Sequence, residues 1–77
     1  MNLIDRIQID PAICHGKPVI KGTRVPVAII VGSLAAGMSM DEIQTEYDLA
    51  RDDIQAALAF ANDLIQQESF HNLPRVA

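Results

Sequence analysis

The chain has 77 residues, 49% hydrophobic but only 4% aromatic, and a net charge of −4. That size allows one domain, residues 1–77, close to the lower limit of what folds without a disulfide, a metal or a partner, so a homo-oligomer, in its simplest form a dimer, is an expected state. A single cysteine, Cys14, excludes an internal disulfide and suits a reducing cytoplasm; the N-terminus lacks the basic and apolar regions of a signal peptide, and the longest apolar stretch, Val25 to Met38, is broken by Pro26, Gly32, Ser33 and Gly37, so no membrane contact is expected.

The first element is a strand over Arg6–Ile9, where Ile7 and Ile9 alternate with Arg6 and Gln8. Asp10-Pro11 then reverses the chain. Ile13-Cys14 and Val19-Ile20 read as short extended pieces flanking a turn at Gly16, and a second reversal follows at Gly22; both glycines suit positive φ. Residues 6–25 thus form a small β-hairpin or meander, with Pro11, Gly16, Pro18 and Gly22 as its turn residues.

Residues 26–67 hold three helices. Pro26 suits the first turn of the first, whose apolar positions Val27, Ile30, Val31 and Leu34 recur at helical spacing, and Gly37 closes it as a left-handed cap. Ser39 and Glu42 form a capping box for a short second helix lined by Met40, Ile43 and Tyr47. After a turn at Tyr47–Ala50, the longest helix runs from Arg51 to Gln67, with Ile54, Ala57, Leu58, Ala61 and Ile65 as its apolar stripe. Two helices joined by a tight turn make a helix-turn-helix core. The fold class is α+β, mostly α, ending in a C-terminal tail over 68–77.

Charge divides the chain. Residues 1–24 hold Arg6, Lys17, Lys21 and Arg24 against Asp5 and Asp10, whereas residues 41–68 hold eight acids against Arg51 alone. The two halves are expected to face different partners.

No set of residues converges on catalysis. Adjacent Cys14 and His15 on a strand would point to opposite faces and cannot form a nucleophile–base dyad, so Cys14 reads as a small core residue. One cysteine with His15 and a distant His71 supplies no zinc set. The run from Gly16-Lys17 to Lys21-Gly22-Thr23 lacks the order of a phosphate loop. Asp52-Asp53 sits at a helix start, where carboxylates favour the positive end of the dipole. No enzyme activity, cofactor or metal is expected.

Binding is the remaining class. Arg6, Lys17, Lys21, Arg24, Arg51, Gln55 and Asn62 are the candidates for nucleic-acid contact, although the acids on the last helix oppose phosphate. Phe70 and Leu73 in the tail are candidate protein anchors, and Arg75 a candidate charged plug. Their structural alternative is packing of Phe70 and Leu73 on the domain's own helices, with Arg75 solvated.

The elements Asp10-Pro11, Ile13-Cys14, Gly16-Lys17-Pro18, Gly22-Thr23-Arg24-Val25, the Gly37-Met38-Ser39 corner, Asp41-Glu42-Ile43 and Asp53-Ile54-Gln55-Ala56-Ala57-Leu58 together resemble the domain-of-unknown-function 433 family (DUF433) over roughly residues 6 to 66. Ala50 departs from it, standing where a Thr or Ser cap is expected, with Asp48 or Asp53 as the compensating groups. The resemblance implies a homeodomain-like or winged-helix-like module, and an antitoxin that binds and silences a PIN-like ribonuclease toxin and represses its own operon. It implies no catalytic residues; Lys17, Lys21 and Arg24 become contact candidates, and Arg24 or Arg75 could pair with the carboxylates of a nuclease site. The alternatives are a stand-alone helix-turn-helix regulator binding operator DNA and a homodimeric adaptor.

Overall fold

The computed structural model describes residues 3–67. A 3-10 turn over Leu3–Arg6 leads into strand β1 (Ile7–Gln8); a second 3-10 turn over Cys14–Gly16 precedes strand β2 (Val19–Ile20). Helices α1 (Val27–Ala35), α2 (Met40–Tyr47) and α3 (Arg51–Gln67) follow. The result is a small α+β fold: a two-stranded antiparallel ladder, then three helices, with α2 and α3 in a helix-turn-helix order.

The ladder is shorter than the alternation of Arg6–Ile9 predicts. Ile7 pairs with Ile20 and Gln8 with Val19, so the next position, Ile9, would face Pro18, which has no N–H to donate. Pairing stops there: Ile9 is 59% exposed, and Arg6 belongs to the preceding 3-10 turn. On its other edge β2 meets Pro26 through a bridge to Val19, and the Ile20 N–H donates to the Val25 carbonyl at 3.0 Å. Val19 and Ile20 are therefore flanked on both sides and fully buried.

Ile13-Cys14 is not a strand piece. The Asp10 carboxylate accepts the Ala12 N–H at 2.9 Å, the Asp10 carbonyl accepts the Ile13 N–H, and the Ile13 carbonyl accepts the Gly16 N–H at 3.0 Å. These successive turns drive Cys14, His15 and Gly16 into left-handed backbone with φ of 49°, 58° and 80°. For Cys14 and His15 that conformation costs about 1–2 kcal/mol each. Cys14 is accordingly a half-buried turn residue and not a core one, its thiol donating to the Arg24 carbonyl at 3.5 Å.

Pro26 is the N-cap of α1 and not its first helical residue. The bridge to Val19 holds it extended, and the Val27 N–H, which would otherwise lack a partner, donates to the Pro18 carbonyl at 2.9 Å. The far end of α1 closes at Gly37, φ 102°, through Met38 N–H to Ser33 carbonyl and Gly37 N–H to Leu34 carbonyl, both 3.0 Å.

The Ser39 capping box forms in full: the Glu42 N–H donates to Ser39 Oγ at 3.0 Å and the Ser39 N–H to Glu42 Oε1 at 2.9 Å. Ser39→Ala is expected to lower stability by about 1 kcal/mol, read by thermal melting. The bond from the Ser39 backbone, then that from its side chain, holds the Glu42 carboxyl below its ordinary pKa of 4.5. A folded-state pKa lowered in this way adds stability above the unfolded value, and that stability is lost as the pH falls from 4.5 through the lowered value. A Glu42→Gln protein is expected to lose this part of its acid sensitivity, which melting curves across that range would check.

The core joins Ile20, Val27, Ile30, Ile43, Leu49, Ile54 and Ala57, with Phe60 and Tyr47 packed at its margin. It is aliphatic, as the scarcity of aromatics predicts. The stripe of α3 is only half covered: Ile54 and Ala57 are fully buried, as is Ala56, but Leu58 is 40% and Ile65 57% exposed. Leu58 lies on the outward side of α3, in line with exposed Arg51, Gln55 and Asn62, whereas length explains Ile65: at 1.5 Å per residue α3 is about 26 Å long and α1 and α2 about 12–14 Å, so its last turns outrun the helices that would cover them.

Candidate functional site

The charge division of the sequence becomes a division of surfaces. Along α2, Asp41, Glu42, Thr45 and Glu46 recur at spacings that place them on one exposed side, where with Met38 they line an open cleft of about 390 Å³. Asp41 and Glu42 also occupy the first turn of α2, where the helix dipole favours acids. Glu46 lies beyond that turn and leaves this surface strongly negative.

The sequence candidates for nucleic-acid contact separate into three groups. Arg6 is committed within the chain: its Nη1 donates to Asp53 Oδ1 at 3.0 Å, and its Nη2 lies 3.6 Å from Asp52 Oδ2. Arg51, Gln55 and Asn62 share an exposed side of α3, together with Leu58, but Arg51 stands 3.9 Å from Asp41. Lys17, Lys21 and Arg24 are exposed, and no ion pair joins them to a described carboxylate. The Gly22 turn presents two of them: Thr23 closes it by donating its N–H and hydroxyl to the Ile20 carbonyl at 2.9 and 2.7 Å and accepting the Val25 N–H at 3.0 Å.

Asp53 has a second task. Its Oδ2 accepts the Ala50 N–H at 3.0 Å, supplying from the third helical position the cap that Ala50 lacks; Asp48 is instead the left-handed cap of α2, φ 55°. One carboxylate thus caps α3 and anchors the N-terminal turn to it through Arg6. Asp53→Ala is expected to cost about 1–2 kcal/mol, and Asp52→Ala, with its longer and more exposed pairing, less than about 0.5 kcal/mol; paired denaturant titrations would check the difference.

A third surface was not singled out by sequence reasoning. Between α1 and α3 lies an apolar groove of about 380 Å³ lined by Pro18, Pro26, Ala28, Val31, Phe60, Ala61 and Leu64, with Lys17 as its one charged residue. Leu64 within it and Ile29 on the adjoining side of α1 are 45% and 44% exposed. The signal for it was the absence of any charged residue between Arg24 and Asp41.

Phe70, Leu73 and Arg75 lie outside the described residues, as does His71. Among the described residues no group of three or more His, Cys, Asp or Glu is placed to hold a metal ion, and no helix is long and apolar enough to cross a membrane.

A family model described as a protein of unknown function, DUF433, matches residues 7–61. No curated protein matches the chain. Among solved structures, the crystal structure of a DUF433 member protein from Anabaena variabilis is similar with a TM-score of 0.74 and 32% identity; the similarity covers 80% of this chain and 62% of that one. The chain therefore spans less than two thirds of that relative's length.

Proposed function

The chain belongs to the DUF433 family, and we propose that it is a non-enzymatic binding protein, the antitoxin of a toxin–antitoxin pair, which binds and silences a PIN-like ribonuclease in the cytoplasm. The observation that carries this reading is the segregation of charge: Asp41, Glu42 and Glu46 form one acidic surface on α2, while Lys17, Lys21 and Arg24 stand on the turns around β2 with no ion pair to a described carboxylate. An acidic helical surface steers a basic nuclease into contact. Arg24, exposed and without an ion pair to a described carboxylate, is suited to pair with the carboxylates of a metal-dependent nuclease site.

Operator binding is the second reading, favoured by the same three cations. A homeodomain-like or winged-helix-like mode would present the start of α3 to the major groove, but that start carries Asp52 and Asp53. Contact through the Gly22 turn fits the charges better, with Arg51, Gln55 and Asn62 as secondary candidates.

Purification of the tagged chain from its native cells tests the proposal. A stoichiometric nuclease partner, released by high salt, is the expected result. Recovery without any partner, combined with a salt-sensitive footprint on its own promoter, would transfer the function to DNA regulation.

A further inference from the structure

We infer that the 3-10 turn over Cys14–Gly16, with Lys17 after it and Arg24 beside it, is a contact loop for carboxylates of the nuclease partner, and that His15 is its specificity-determining residue; the inference rests on the antitoxin reading. The starting observation is a cost with no return inside the fold. Glycine occupies three left-handed positions of the chain, Gly16, Gly22 and Gly37, and Asp48 closes α2 in the same conformation, but Cys14 and His15 also stand there, at φ 49° and 58°. A Cβ disfavours that backbone, and strain of this kind gathers where proteins bind and react.

Cys14 has an internal use, since its thiol donates to the Arg24 carbonyl at 3.5 Å and ties the turn to Arg24. His15 has none. It is exposed, and its ring makes no hydrogen bond or ion pair among the described residues. Glycine at this position would relieve the strain and remove no contact that holds the domain together. A side chain that the fold would be more stable without is explained by what it meets outside the fold.

Position and charge identify that contact. The Lys17 N–H donates to the Cys14 carbonyl at 3.1 Å, so exposed His15, Lys17 and Arg24 arise from one small stretch of surface. All three donate hydrogen bonds to anions. The carboxylate at the root of the turn, Asp10, accepts the Ala12 N–H at 2.9 Å and forms no ion pair with a described cation. Lys17 and Arg24 carry the permanent charges of this group, while Lys21 stands at the far end of β2. Two such charges are few for a phosphate backbone, where affinity grows with each phosphate neutralised. They suit the clustered carboxylates of a metal-dependent nuclease site, with Arg24 as the fork and the His15 ring N–H as a directional donor.

Replacing His15 tests this through two separate readouts. In thermal melting of the free full chain, His15→Gly is expected to melt about 2–5 °C above the wild type. In calorimetric titration of nuclease stripped from the wild-type complex, the same variant is expected to bind about tenfold more weakly. His15→Asn keeps a residue type that accepts left-handed backbone, so a matching loss of affinity there assigns the effect to the imidazole and not to a loosened turn. Full affinity in either variant, or a melting temperature that His15→Gly lowers, would overturn the inference. A nuclease that binds indifferently to His15 removes this inference alone, whereas a wild-type chain that captures no nuclease removes the antitoxin reading and this inference with it.

Discussion

Ile54→Ala is expected to cost about 2–5 kcal/mol, against a total stability of about 4–12 kcal/mol for a chain of this size. Ile54 is fully buried where α3 crosses the core, among Ile20, Ile30, Ile43 and Leu49. No aromatic residue sits within the buried set to refill a deleted side chain, and every neighbour is held by a short element. The melting temperature should fall by roughly 10–30 °C. Ile65→Ala provides the contrast: it lies on the same helical stripe but is 57% exposed, so in dilute solution it should cost less than about 1 kcal/mol. Equal losses at the two positions would mean that the C-terminal turns of α3 are covered as well as its start.

Reversing charge on the acidic surface should damage binding without damaging the fold. In an Asp41→Lys, Glu46→Lys double variant both replaced side chains are exposed, and Glu42 remains to complete the capping box. Association with a basic nuclease should slow by about 10–100-fold at low salt, with an unchanged melting profile apart from the small loss of a first-turn acid. The deficit should shrink as salt screens both proteins. A variant that associates as fast as the wild type at low ionic strength would remove the acidic surface from the interface.

These two predictions draw on different kinds of legibility. Helix boundaries were readable because their signals are local: Ser39 and Glu42 lie three residues apart, Gly37 ends α1, and α3 spans Arg51 to Gln67 as its periodicity indicates. The left-handed run at Cys14, His15 and Gly16 was not readable, since two of its residues ordinarily avoid that conformation and only the surrounding hydrogen bonds hold them there. The Arg6–Asp53 pair spans 47 positions and leaves no local trace, so Arg6 looked available for nucleic acid when the fold commits it to α3. The exposed half of the α3 stripe lies between these cases. Periodicity identified Leu58 and Ile65 as apolar-face residues, but Leu58 lies at the outward edge of that stripe and the burial of Ile65 depended on comparing the lengths of three helices.

The most direct test of the antitoxin proposal is a ribonuclease assay on the partner that co-purifies with this chain, measured as the complex, after the chain has been stripped away, and after purified chain has been added back. Activity that appears only on stripping and is extinguished by one equivalent of the chain is the expected result. A partner equally active in all three states, or no nuclease partner at all, would contradict the proposal.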